Sequence, residues 1–378
     1  MVATFVEATP PGETTPPGDS PPAPPVASTP GSDVPNVPPD DAGPPPALGP
    51  SLVLLSYVGG AGDQYLTEVG FGPDGGVYAR GKSFSLTYDA ALESARVDGA
   101  LDEGVDMADY TERLQVPFPP YGQAFELAAG GHTVRAGTDI VTGEGSLQMP
   151  WLASTAGWKN YGWTWPQAHA AGLHADGRLY DLWPLPGGRL GALLWASGGD
   201  TILRKEPQDL GSPADFQAAP AFSADAFIAA PGGRPTLYVQ FDASTGRPLS
   251  GTFLANHVTA RARDRWGRVY LPKTMRSADA GPANPFGQSE SAASGVFVLG
   301  PNYARPELNA RIGGDTSTCG ATSAPAEYRQ AFNVVALRDR WLVLGGTTCA
   351  TDLPTTANAA QATNGGGQDG LIAVVRLW

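Results

Sequence analysis

GLIAVVRLW, residues 370–378, ends the chain. Gly370 leads into an unbroken aliphatic and β-branched run, which reads as a strand buried on both faces. No turn, partner or cap follows Trp378. An apolar strand left unpaired is an aggregation edge, so a stable fold has to supply its neighbour from elsewhere in the chain. Finding that neighbour decides the architecture.

Composition narrows the search. Of 378 residues, 49 are Gly and 37 are Pro, while only 16% are charged. This suits many short strands joined by tight turns and suits long helices badly. The one stretch with helical spacing is 90–101, where Ala91, Leu92, Ala95 and Val97 would form a short amphipathic piece. The net charge of −13 argues against nucleic acid and against anionic membrane surfaces, both of which need clustered Lys and Arg. There is no run long and apolar enough for a transmembrane segment, and VATFV at 2–6 is too short for the core of a signal peptide. The only cysteines, Cys319 in STCGATS and Cys349 in GTTCATD, have no His or further Cys at metal spacing. They read as one disulfide joining neighbouring loops, with free thiols as the alternative.

Residues 1–50 are a different material. They hold 16 of the 37 prolines, six acidic residues and no Lys or Arg. Such a segment cannot offset its ordering entropy by burial and is expected to be an extended acidic linker or tether. From residue 51 a phrase recurs: EVGFGPDGGVYARG at 68–81, AGLHADGRLYDLW at 171–183, TARARDRWGRVYLPK at 259–273 and VVALRDRWLVLGG at 334–346, with weaker echoes at 125–137 and 219–231. Each is strand, polar turn, strand. Tyr78, Val134, Tyr180, Ile228, Tyr270 and Val343 mark the second strands at a mean spacing of 53 residues. A period of that size in an all-β chain predicts a β-propeller over 51–378, here with six blades. The first strand of each hairpin is rich in Gly and Ala, as converging inner strands require. TLYVQFD with LSGTFLA, and GVFVLG with LNARIGG, read as third and fourth strands of blades 4 and 5. The last blade has its hairpin at 333–346 and a third strand in GLIAVVRLW. SLVLLSYVGG at 51–60, which resembles LNARIGG down to the closing Gly-Gly, is the expected fourth.

SYVGGAGDQYLTEVGFGPDGGVYARG and TTCATDLPTTANAAQATNGGGQDGLIAVVRL also resemble the bacterial SBBP-type β-propeller repeat family, whose units read like a STYLGG segment, a hairpin ending YVTG, a TDFPTT loop and a DAFVAKL strand. The resemblance covers 51–81 and 333–377 best, 236–314 less well and 90–230 poorly. It implies a secreted or cell-surface bacterial protein and seven blades as the alternative count, and it carries no general catalytic motif.

Chemistry has few candidates. His169 and His257 each begin an inner strand, and a channel metal such as zinc or calcium would use such positions. Ordinary polar lining is the competing reading, so the expected cofactor is none. Asp74, Asp176 and Asp264 recur at hairpin turns, where Asp bonds local backbone more often than calcium. Arg261, Arg263 and Arg265 share a strand face by the period of two, making a cationic spot suited to a carboxylate or sulfate; internal pairing to Asp264, Asp339 or Glu68 is the alternative. Trp151, Trp158, Tyr161, Trp163 and Trp165 cluster in WLASTAGWKNYGWTWPQ, as a sugar platform with Lys159, Asn160 and Gln167 or as outer-rim packing. No GxSxG, HExxH or P-loop is present. The expectation is an extracytoplasmic binding or scaffolding propeller recognising a protein or glycan through Trp158, Tyr161, Trp163, Trp165, Arg261 and Arg263. A propeller hydrolase or lyase with a channel metal, and a structural part of a surface assembly, are the alternatives.

Overall fold

The computed structural model describes residues 43–101, 124–141, 147–161, 177–196, 222–224, 236–254, 261–274, 285–286, 294–303, 306–319 and 329–378. They are all-β, with strands gathered into five sheets. Sheet 1 is β2 (Glu68–Phe71), β3 (Val77–Arg80), β4 (Phe84–Tyr88) and β5 (Ala95–Gly99). Sheet 2 is β6 (Ala124–Ala129), β7 (His132–Val141), β8 (Leu147–Ser154) and β9 (Lys159–Tyr161). Sheet 3 runs in the order β10 (Gly177–Leu185), β11 (Arg189–Ala196), β13 (Thr236–Asp242), β14 (Pro248–Leu254), with β12 (Phe222–Ala224) added parallel to β14. Sheet 4 is β15 (Ala262–Arg263), β16 (Val269–Thr274), β17 (Ser294–Leu299) and β18 (Pro306–Arg311).

Sheet 5 answers the question raised by GLIAVVRLW. Its strand β21 (Asp369–Arg376) lies between β20 (Trp341–Thr348) and β1 (Ser51–Val58), with β19 (Gln330–Arg338) beyond β20. The pairing with β1 is antiparallel, from Ser51 opposite Arg376 to Val58 opposite Gly370, with one irregularity between Leu52 and Leu54. Leu371, Ile372, Ala373, Val374, Val375 and Leu377 are all fully buried. The strand has no polar face because neighbouring sheets cover it on both sides, burial worth about 1.5–3 kcal/mol for each large aliphatic chain. The end of the strand is covered too, since Trp378 meets Trp266 edge to face, ring centroids 5.7 Å apart.

Apolar clusters show which sheets pack together. Leu54, Val69, Val77 and Val374 join sheets 1 and 5, and Tyr57, Tyr270, Val298 and Leu344 join 5 and 4. Tyr180, Leu193, Val269 and Leu299 join 4 and 3, and Leu179, Leu190, Val134 and Leu152 join 3 and 2.

One expectation is met in part and one changes. The described residues form five sheets, and TLYVQFD, expected in blade 4, pairs directly with β11, Arg189 opposite Asp242 through Trp195 opposite Thr236. Leu190, Ala192, Leu193 and Leu194 of one strand and Leu237 to Phe241 of the other are buried on both faces, so each strand satisfies the other as a neighbour. Ile228 and most of the hairpin at 219–231 lie outside the described residues, as does the inner strand expected at 170–172. The short helix expected over 90–101 is instead the edge strand β5, paired with β4. Gly99 at φ 100° fixes its end, where a Cβ would lie 2.2 Å from the Ser83 carbonyl oxygen.

The linker also gives way to folded structure before residue 50. Gly49 N donates to Leu377 O at 2.9 Å, Arg268 Nη2 donates to Pro46 O at 2.6 Å, and Leu48 packs against the cluster between sheets 4 and 5. The disulfide is formed: Cys319 and Cys349 are bonded, their Cα atoms 5.2 Å apart.

Candidate functional site

The sequence motif ARARDRWGR lands at the start of sheet 4. Arg261 stands just before β15 and Arg263 lies on it, two residues apart and therefore on one side. Arg265 does not join them: the chain turns at 264–267, and the Arg265 guanidinium lies over the Trp266 ring at 4.4 Å. The turn is set by Asp264, whose Oδ1 accepts from Trp266 N and Arg268 N, each at 3.0 Å. Asp74 does the same for Gly76 N at 3.0 Å. These aspartates shape hairpins, as Asx turns do. Asp264 also accepts from Tyr270 Oη at 3.0 Å, and Arg268 donates Nε to Glu307 Oε2 at 2.6 Å, so this buried network is spent on tying sheet 4 together.

Across the seam, Asp181 on β10 faces the arginines. The β10–β11 register slips between Leu179 and Asp181, an irregularity of the kind that re-aims a side chain. Arg261 donates Nη2 at 2.6 Å and Nε at 3.0 Å, both to Asp181 Oδ2. Asp181 Oδ1 accepts from Leu182 N at 2.9 Å. One carboxylate is thereby engaged at both oxygens, while the Arg263 Nη2 stands 3.9 Å from Oδ2. Arg263 rests instead on the Trp183 face, 4.5 Å from guanidinium carbon to ring centroid, and its Nη1 has no hydrogen-bond partner. Below lie Trp183, Tyr238 and Tyr303, Trp183 tilted against both tyrosines and the tyrosines edge to face, with centroids 6.2–6.4 Å apart. Trp183 Nε1 donates to Tyr303 Oη at 2.9 Å, whereas the buried Tyr238 Oη has no partner. Tyr303 holds φ at 54°, a region a bulky residue occupies only when packing over-determines it.

The electrostatics follow. Burial lowers the Arg263 pKa, with the Arg261 charge adding and Asp181 opposing. For Arg261, burial acts in the same direction but the Asp181 charge and hydrogen bonds outweigh it, and its pKa rises. Burial, first among the causes, raises Tyr238 well above the usual phenol range, so it is a neutral donor. Two guanidinium cations share one carboxylate, leaving a net positive charge in a chain of net charge −13. The side chains of Arg261, Arg263 and Asp181 keep 20%, 26% and 18% of their surface exposed, so the cluster reaches solvent. Internal pairing of Arg261 is thus real, but its partner is Asp181, not Asp264, Asp339 or Glu68. Nothing local in the sequence marks Asp181; a register irregularity and a seam between sheets bring it there.

The aromatic cluster resolves differently. Trp158 donates Nε1 to Ala243 O at 2.9 Å, and its ring lies against Gly246, where a Cβ would come within 2.4 Å. Asn160 Nδ2 bonds Gly246 O at 2.5 Å. Both residues dock sheet 2 on the 242–247 turn of sheet 3, the packing role that the sequence offered as the alternative to a sugar platform. Tyr161 pairs with Trp151 at the end of β9, its side chain outside the described residues. Trp163, Trp165, His169 and His257 also lie outside the described residues. Among the described residues no three of His, Cys, Asp and Glu group to hold a metal ion, and no helix is long and apolar enough to cross a membrane.

A second polar cluster had no sequence expectation. Asp369, the first residue of β21, is 0% exposed and burial, aided by the Asp63 charge, pushes its carboxyl up to about 7. Its only sequence signal is an acid standing directly before an apolar run with no basic residue nearby.

No family model matches the chain, and no curated protein is significantly similar to it.

Proposed function

We propose that the five sheets are the blades of one β-propeller, fastened by the N-terminal strand in the last sheet, and that it is a binding or scaffolding module. The successive packing of sheets 1, 5, 4, 3 and 2 supports the side-by-side order of blades, and the placement of β1 beside β21 supports the joining of the chain's ends within one blade. The likeness of 51–81 and 333–377 to SBBP-type repeats, together with the disulfide, favours an extracytoplasmic bacterial setting. The module recognises an acidic group, carboxylate or sulfate, on a protein or glycan partner. One observation carries this: Arg261 and Arg263 share the single carboxylate of Asp181, which leaves one guanidinium charge in excess on a cluster whose Arg263 side chain keeps 26% of its surface exposed. A planar fork suits such groups better than a point charge.

The test is binding to arrayed uronic-acid, sulfated and neutral glycans and to acidic peptides. Binding confined to acidic members, weakening with salt and reduced at least tenfold by Arg263→Gln, is expected. Equal binding by Arg263→Gln, or no acid preference, would overturn the reading.

A further inference from the structure

We infer that the junction of the 59–64 loop with the 361–369 loop is a binding site for a hard divalent cation, calcium being the ion its donors suit. The inference is independent of the Arg263 reading.

The starting point is an imbalance. Asp369 Oδ2 accepts from Gly365 N at 2.7 Å and Gln361 Nε2 at 3.2 Å. Its Oδ1 is buried and accepts from no donor. The neighbouring charge is a second carboxylate, Asp63, whose Oδ1 accepts from Gln368 N at 2.9 Å. A buried carboxyl with a bare oxygen beside a like charge is costly unless something positive joins it.

Acceptor oxygens gather at this junction, alongside the N–H groups that already donate to Asp369 Oδ2, Asp63 Oδ1 and Gln64 Oε1. A Cβ on Gly59 would lie 2.2 Å from Asp369 Oδ1 and 2.6 Å from Gln64 Oε1. Across the junction, a Cβ on Gly365 would lie 2.7 Å from Gly60 O, and one on Gly367 2.5 Å from Asp63 Oδ1. Gly59 therefore lets Gln64 Oε1 and Asp369 Oδ1 approach one another, and Gly365 and Gly367 let the 361–369 loop close on Gly60 O and Asp63 Oδ1. Two carboxylates, a side-chain amide oxygen and a main-chain carbonyl, without nitrogen or sulfur, form a hard-cation set. Calcium takes roughly six to eight such oxygens and draws freely on backbone, whereas zinc prefers His and Cys. The effect of binding would be mechanical: the 59–64 loop follows β1 and the 361–369 loop leads into β21, so the ion would tie the N-terminal strand to the C-terminal one.

The experiment uses the full chain, stripped with EDTA and titrated with calcium, reading thermal unfolding, and with terbium, reading luminescence excited through Tyr and Trp. The expected result is a saturable rise in Tm, smaller with magnesium, and a terbium signal that calcium displaces. Asp369→Asn is expected to lose both, and Asp63→Asn to weaken calcium affinity at least tenfold. Should Asp369→Asn fail to fold, the wild-type titrations and Asp63→Asn decide. The site is disproved by a wild-type protein with neither response, by responses undiminished in Asp63→Asn, or by an Asp369→Asn protein as stable as wild type that keeps the calcium shift.

Discussion

At the scale of single residues, the chain separates side chains that build turns from those left with spare capacity. Asp242 belongs to the first kind. Its Oδ1 accepts from Ser244 Oγ at 2.6 Å, Ser244 N at 2.8 Å and Thr245 N at 3.0 Å. The Ser244 hydroxyl is the first cause that lowers its pKa below the usual carboxylate value, with those backbone donors adding. A depressed pKa gives stability that is present above the unfolded-state value and is lost as pH falls through the folded one. Unfolding midpoints in urea between pH 5 and 2 should therefore fall less steeply in Asp242→Asn than in wild type, and parallel curves would refute the assignment. Arg263 belongs to the second kind. Because Asp181 is engaged by Arg261 and by Leu182 N, Arg263→Gln should change stability by less than about 1 kcal/mol, while Asp181→Ala, which leaves two half-buried cations unopposed, should cost about 2 kcal/mol. Chemical denaturation of the two variants checks the contrast. The arginines were legible from period two in the sequence; Asp181 was not, because it enters from another sheet.

At the scale of elements, burial sets what each strand tolerates. Ile372 is fully buried in β21 with sheets on both faces, so Ile372→Ala should destabilise by about 2–4 kcal/mol. Val97, 39% exposed on edge strand β5, should respond to Ala by about 0.5 kcal/mol or less. Equal effects would mean that β21 is not covered as described. The disulfide links Cys319, just after the 3₁₀ turn Thr316–Thr318, to Cys349 just past the end of β20, at a sequence separation of 30. Replacing Cys319 and Cys349 by Ser should cost about 3–4 kcal/mol by releasing that loop in the unfolded chain. Urea titration in the presence and absence of reductant gives the same comparison on the native sequence.

At the scale of the whole molecule, the join between the chain's two ends is decisive. Removing 51–60 takes away β1 and exposes one edge of β21 and should abolish cooperative unfolding. Removing 1–42 should leave the melting curve unchanged, because that Pro-rich acidic segment carries little that a core could bury. Circular dichroism melts of both truncations test this, and a cooperative melt after loss of 51–60 would refute the closing role of β1.

The all-β class, the pairing of GLIAVVRLW with SLVLLSYV, the disulfide and the turn-forming aspartates were readable in the sequence. Each follows from local chemistry, such as an apolar run needing two neighbours, Asp bonding nearby backbone, or two lone cysteines. The sheet count, the Asp181 partner of Arg261, the use of Trp158 as an inter-sheet dock and the oxygen-lined junction at Asp369 were decided only by tertiary structure. They depend on which strand lies beside which, and a strand apolar on both faces accepts any similar neighbour, so its partner is selected by the packing of whole sheets.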